Sequence, residues 1–289
     1  MIFLLIAIVC STLIFTLFRL LPKYNAITFP AIVFNYFIAL SCGLLMIDSE
    51  YSITDQFSKP WFTGGLLMGF LFIGLFYLMA YTAQRLGMGV SSVATKMSLV
   101  ISVAYFMMTD PSDEVTVLKI IAICIAVLGV LFSSSKDKST SKAPFYLFLF
   151  PLIIFVGSAF IDIIIGHFSP TLTSDSDRYL FTATPFMTSA VVGSTVLLIQ
   201  AAKGMFKLNK PTLVGGLILG FINFGSIFFL VKAFETGFIE RSAIVSINNL
   251  GIILFSAITG VVFFSEELRG KKLLGLVLSV VAILLLFFA

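Results

Sequence analysis

The stretch Gly64-Gly65-Leu66-Leu67-Met68-Gly69-Phe70-Leu71-Phe72-Ile73-Gly74 returns 151 residues later as Gly215-Gly216-Leu217-Ile218-Leu219-Gly220-Phe221-Ile222-Asn223-Phe224-Gly225. Six of the eleven positions are identical and four of those are glycine, so the chain reads as an internal duplication. Two shorter matches extend it: Ser112-Asp113-Glu114 against Ser265-Glu266-Glu267 at a spacing of 153, and Gly87 against Gly237 at 150. Each copy holds five apolar runs of about twenty residues, the length that crosses a bilayer as a helix. Five is odd, so the second copy enters the membrane with opposite orientation, which gives an inverted repeat about an axis in the membrane plane. The division expected is 1–133 for the first repeat, 134–143 for a polar linker and 144–289 for the second repeat. The glycines themselves are explained by close helix packing.

Composition agrees with this reading: 59% of the residues are apolar, 11% are charged and the mean hydropathy is +1.12. The expected fold is an all-α membrane protein of ten transmembrane helices centred near Ile8, Phe37, Leu71, Met97, Ile125, Ile154, Ser189, Phe221, Leu254 and Leu278. The runs are too long and continuous for a membrane barrel. The polar stretches Asp48 to Lys59, Ser133 to Lys142 and His167 to Arg178 are loop-sized, and the first run, Ile2 to Phe18, reads as a helix rather than a cleavable signal. Cys10, Cys42 and Cys124 lie inside apolar runs and read as packing residues. The basic balance reflects topology rather than nucleic-acid binding. Twelve Lys and Arg residues (19, 23, 85, 136, 138, 142, 203, 207, 210, 269, 271 and 272) fall in the loops after spans 1, 3, 5, 7 and 9, against five (59, 119, 178, 232 and 241) on the other side. The odd loops are therefore expected in the cytoplasm and both termini outside.

Lys96 stands nine residues into the apolar run Gly87 to Met108. An amine at that depth costs several kcal/mol unless it faces a cavity, a partner or a substrate. At a spacing of 153, Thr95-Lys96 falls on Asn248-Asn249 in span 9, so the two-fold axis brings both polar pairs to similar depth. Helical phase gives each span a wet stripe: Ser91, Thr95, Ser98 and Ser102 beside Lys96, and Ser242, Ser246, Asn249 and Ser256 on the other. With the alignment gap placed later, Lys96 faces Ser246 instead. Candidate substrate-binding residues are therefore Lys96, Thr95, Ser98, Asn248, Asn249 and Ser246, joined by the single amides Asn35 and Asn223. Interhelical hydrogen bonding is the competing role for the hydroxyls and amides. Asp162, the one carboxylate read as lying within a span, is the candidate for proton or ion coupling, or else the counter-charge of Lys96. Arg19, Lys232, Glu235, Glu240 and Arg241 are placed at span ends, where snorkelling explains them. Tyr24, Tyr51, Trp61, Tyr146 and Tyr179 are placed at an interfacial belt, and Phe70 and Phe221 are candidate walls of an apolar cavity.

Ten spans in two inverted halves, the Gly64-Gly65 and Gly215-Gly216 openings, and the turn Ser265-Glu266-Glu267 before a last helix containing Gly275 resemble the EamA type of the drug/metabolite transporter superfamily. The resemblance covers the whole chain and implies a central cavity formed by spans 1, 3, 4, 6, 8 and 9, with alternating access by rearrangement of the two halves. Members move amino acids, metabolites, drugs or nucleotide sugars. The nucleotide-sugar branch is similar in carrying an Asn-Lys pair in its ninth span, whereas here Asn248-Asn249 is followed by Leu250. The family's termini are often drawn in the cytoplasm, opposite to the charge count above.

Enzymatic chemistry is not expected: His167 is the lone histidine, and no H-E-x-x-H, G-x-S-x-G or P-loop motif occurs. A channel, or a receptor or scaffold without transport, is the alternative to a carrier. The expectation is a secondary carrier in the inner (plasma) membrane, moving a small polar or amphipathic organic metabolite. A fixed cation gives amino-acid-like or anionic solutes a slight preference. Its partners are the small-molecule substrate and the lipid bilayer, with a homodimer admissible, no nucleic acid, and neither cofactor nor metal.

Overall fold

A computed structural model describes residues 1–46, 53–109, 116–133, 145–168, 171–172, 174–235 and 241–288. Among the described residues the chain is helical and holds no strand. Its helices are α1 (Ile2–Leu20), α2 (Thr28–Leu44), α3 (Pro60–Arg85), α4 (Met88–Lys96), α5 (Leu99–Thr109), α6 (Val117–Ser133), α7 (Phe150–Phe168), α8 (Asp175–Ala202), α9 (Lys210–Glu235), α10 (Arg241–Phe264) and α11 (Lys271–Phe287), with short 3₁₀ turns before α2, α3 and α7. Seven segments are long and apolar enough to cross a membrane, Met88–Thr109 counted as one, and α2 and α6 are shorter apolar helices. Each of the ten expected span centres falls within or between these helices. Ser112-Asp113-Glu114, Gly237, Glu240 and Tyr51 lie outside the described residues.

The chain divides into two compact units, each drawing segments from both sequence halves. The first comprises Met1–Arg19, Leu78–Asp162 and Gly225–Ala289, and the second Leu20–Tyr77 and Ile163–Phe224. Within the first, α6 packs along α11 and α10 along α4. The α6–α11 contact is closest where Gly129 and Ser133 meet Gly275 and Ser279. A Cβ on Gly275 would lie 2.7 Å from both Gly129 O and Ser133 Cα, so the two backbones touch there. Val93, Met97, Val100, Ala126, Val130, Ile253, Ala282 and Ile283 fill the core beside this crossing.

Within the second unit, α2 packs along α8. The two copies of the glycine motif do the same work in different places. Gly65 and Gly69 on α3 admit Thr184 and Thr188 of α8, whereas Gly216 and Gly220 on α9 admit Ala31, Phe34 and Ile38 of α2. Small residues let the helix backbones approach to this distance, which larger side chains would forbid. Phe70 and Phe221 are 59% and 57% exposed, which suits contact with lipid rather than the cavity walls expected of them. Trp61, expected at the interface, is instead fully buried, edge-on to Phe62 and Phe181. Tyr24 and Tyr146 remain exposed.

Candidate functional site

The fourth apolar run, read from sequence as one helix, is two. α4 ends at Lys96, α5 begins at Leu99, and Met97-Ser98 form a turn between them. The ladder resumes with i to i−3 bonds, from Val100 N–H to Met97 O at 3.1 Å and from Ile101 N–H to Ser98 O at 3.0 Å. No glycine or proline causes this. The local hydroxyls offer the backbone other partners: Thr95 Oγ1 donates to Ser91 O at 2.8 Å, and Ser98 Oγ lies 2.7 Å from Thr95 O. Side-chain hydroxyls that bond nearby carbonyls compete with the helical ladder and bend it.

The interruption places two helix ends inside an apolar body, and a charge sits at each. Lys96 occupies the last turn of α4, where the carbonyl end of the helix dipole favours a cation. Asp162, on α7, lies at the start of α5, where its Oδ2 is 2.7 Å from Ser98 Oγ and the amide end favours an anion. The single hydroxyl proton of Ser98 is thus shared between the Asp162 carboxylate and the Thr95 carbonyl. Ser102 Oγ approaches Ala159 O, one turn along α7, at 3.4 Å, tying α5 to the same helix. Lys96 and Asp162 are near enough to feel each other's charge but do not close into an ion pair. Lys96 is half-buried, as are Thr95 and Asp162.

α10, packed on α4, adds Ser246, Asn248 and Asn249, all buried. The side-chain carbonyl of Asn248 accepts no hydrogen bond among the described residues. An amide oxygen that is buried without a donor costs about 1–3 kcal/mol, so it marks a position where a donor belongs. The side chain of Ser242 lies outside the described residues.

Asn35 and Asn223, the single amides named with this group, form a contact of their own. They lie in the second unit and bond each other, Asn223 Nδ2 donating to Asn35 Oδ1 at 3.1 Å, while Asn35 Nδ2 donates to Ile32 O at 3.2 Å. This is an interhelical link between α2 and α9. In the same unit Asp177, buried at the start of α8, pairs with Lys59 at 3.4 Å, and Ser174 caps that helix by accepting from Asp177 N–H at 3.0 Å. Sequence reading passed over Asp177, although a serine three residues upstream is the usual sign of a helix cap.

Glu266 was also read only as part of a repeated turn. Its carboxylate accepts Met88 N–H, at 2.8 Å to Oε1 and 3.1 Å to Oε2, and so caps α4 from far along the chain. Arg19, expected to snorkel, is turned inward: its Nε is 3.9 Å from Glu266 Oε1 and its guanidinium donates to Ala83 O and Gln84 O.

The fold and this site together define an all-helical membrane protein with opposite charges set at an internal helix break. No family model matches the chain. It is similar to an uncharacterized protein of Haemophilus influenzae (strain ATCC 51907 / DSM 11121 / KW20 / Rd), at 25% identity over 294 residues, with 99% of this chain and 97% of that one covered. The likeness therefore runs the length of both chains.

Proposed function

We propose that the protein is a secondary carrier of the EamA type, built from ten spans as two inverted five-helix repeats, which moves a small organic solute across the inner membrane by alternating access. The observation that carries this reading is the break in the fourth span, with Lys96 on one side of it and Asp162 on the other. Discontinuous membrane helices put helix ends and loosened backbone where a solute binds, and such breaks are typical of carriers with inverted repeats. The packing supports the repeat as well. The paired helices α6 and α11, α2 and α8, and α4 and α10 each occupy the same place in the two halves, and the two glycine motifs meet partners related in the same way.

The pair also refines the solute. A net anion would satisfy Lys96 and leave Asp162 opposed, whereas a zwitterion presents a carboxylate to the one and an ammonium to the other. An amino-acid-like solute is therefore preferred. The test is a thermal-shift screen of amino acids against the same molecules lacking the amino group, on purified protein and on Lys96→Met. Ligands that bind the folded state raise its melting temperature by mass action. Stabilisation by amino acids, absent with the deaminated acids and lost in Lys96→Met, is expected. Equal stabilisation of both proteins by every compound would refute the site.

A further inference from the structure

We propose that Glu266 is a positioning residue for transport: its carboxylate latches α4 shut at the odd-loop end, and release of that latch opens Lys96 to that side. The inference rests on the carrier reading above for its purpose, and on the contacts of α4 for its substance.

α4 has only nine residues, about 13 Å of helix. At its inner end it is parted from α5 by the Met97-Ser98 turn. At its outer end Gly87 holds φ at 114° and supplies no side-chain cap of its own, so Glu266 provides the cap. Room for that carboxylate comes from two glycines. A Cβ on Gly87 would lie 2.8 Å from Glu266 Oε2, and one on Gly260 would lie 2.6 Å from it. Glu266 N–H in turn donates to Gly260 O at 3.0 Å, which fixes the turn that aims the side chain. Arg19 and Gln84 complete the arrangement: Arg19 reaches Glu266 and the last carbonyls of α3, while Gln84 Nε2 donates to Phe18 O at 2.9 Å. The ends of α1, α3 and α10 thus converge on the first amide of α4.

Every residue from Met88 to Ala94 is buried, so α4 plugs the way from this end to Lys96. α4 is a short rod with a turn at its far end, fastened at its first amide by Glu266 and along its side by Ser91 Oγ, which donates to Met79 O at 2.9 Å. Loss of a cap supplied by another element frees the first turn of the helix, while packing holds the rest.

The experiment uses the full chain with Cys10, Cys42 and Cys124 replaced by serine and a single reporter, Thr95→Cys, beside Lys96. A membrane-impermeant sulfonatoethyl methanethiosulfonate is applied to sealed vesicles from the odd-loop or the even-loop side. Glu266→Gln removes the charge and weakens the cap. Modification from the odd-loop side should quicken about tenfold or more, the factor expected from losing a hydrogen bond to a charged group. Modification from the even-loop side should slow or stay level, because a carrier that opens one side closes the other. Arg19→Gln should shift the rates in the same direction by a smaller factor, and it carries the test if Glu266→Gln does not fold. Equal quickening from both sides with a lower melting temperature would make Glu266 a support of the fold and overturn the latch. Unchanged rates from both sides in a folded Glu266→Gln protein would overturn it too, while leaving the carrier reading intact. A thiol that reacts from neither side in any variant, yet reacts after denaturation, would remove the access route and with it both readings.

Discussion

Replacing Lys96 by methionine keeps most of the side-chain volume and removes the charge, and the structure fixes what should follow. Asp162 will not be stranded, because Ser98 Oγ at 2.7 Å and the start of α5 remain to hold it. The lost attraction is bounded. Unit charges 4 Å apart at an effective dielectric of 20 attract by about 4 kcal/mol, and this pair has not closed to that distance. Against that stands the cost of keeping an ammonium in an apolar body, several kcal/mol, which the substitution relieves. The two nearly cancel, so ligand-free Lys96→Met should melt within about 3 °C of the parent, a shift of the order of 1 kcal/mol in a chain of this size. Binding behaves differently. A hydrogen bond to a charged group contributes about 1.5–3 kcal/mol, so affinity for the solute should fall roughly 10- to 150-fold. Lys96→Arg should lie between the two, because it restores charge without the compact ammonium. Scanning calorimetry and isothermal titration read the two quantities on the same samples. A sharp loss of ligand-free stability in Lys96→Met, restored by adding Asp162→Asn, would show a structural ion pair and refute the reasoning. Normal affinity in a well-folded Lys96→Met protein would do so as well.

Three further outcomes are expected. Gly275→Ala should lower the melting temperature, at a cost of about 1–3 kcal/mol for overpacking against Gly129 O and Ser133 Cα, while Gly74→Ala, where nothing lies within 4 Å, should be tolerated; equal effects at the two sites would contradict the close α6–α11 crossing. If transport is proton-coupled, Asp162→Asn in liposomes should abolish solute-driven proton movement and retain exchange, and unchanged proton flux would leave Asp162 a structural role. Cysteine labelling from outside the cell should modify a cysteine placed at Ser52 and spare one at Ser139, the reverse pattern overturning the orientation drawn from Lys and Arg.

The helices were legible in the sequence because hydropathy over twenty residues is a strong local signal, and every expected centre but Met97 lies in one. The break at Met97-Ser98 was not, because no glycine or proline marks it. The hydroxyls of Thr95, Ser98 and Ser102 were visible as a wet stripe, but the same stripe is what loosens the backbone. Asn35 and Asn223 looked like cavity residues one at a time and are partners only because α2 and α9 cross. Trp61 illustrates the same limit: tryptophan at a span end suits an interface, and only the proximity of Phe62 and Phe181 buries it. Glu266 acts on Met88, 178 residues away, and contact across that distance has no local pattern. Its one trace was the repeated acidic turn, a sign of duplication that carried no partner with it.

The charges at the break bear on why the fold tolerates them. A protein that needed only to neutralise Lys96 could close it onto Asp162, where the attraction offsets part of the cost of burial. Here the carboxylate takes its hydrogen bond from Ser98, and Lys96 stands in the last turn of α4, whose carbonyl end favours a cation. Each charge is supported by a helix end, and neither is consumed by the other. The carbonyl oxygen of Asn248, on the helix packed against α4, is buried and accepts no hydrogen bond among the described residues. Opposite charges kept apart at one internal helix break leave each able to meet a counter-charge. A solute with a carboxylate and an ammonium would present the matching charge to each, which is the chemistry the proposed carrier needs at this break.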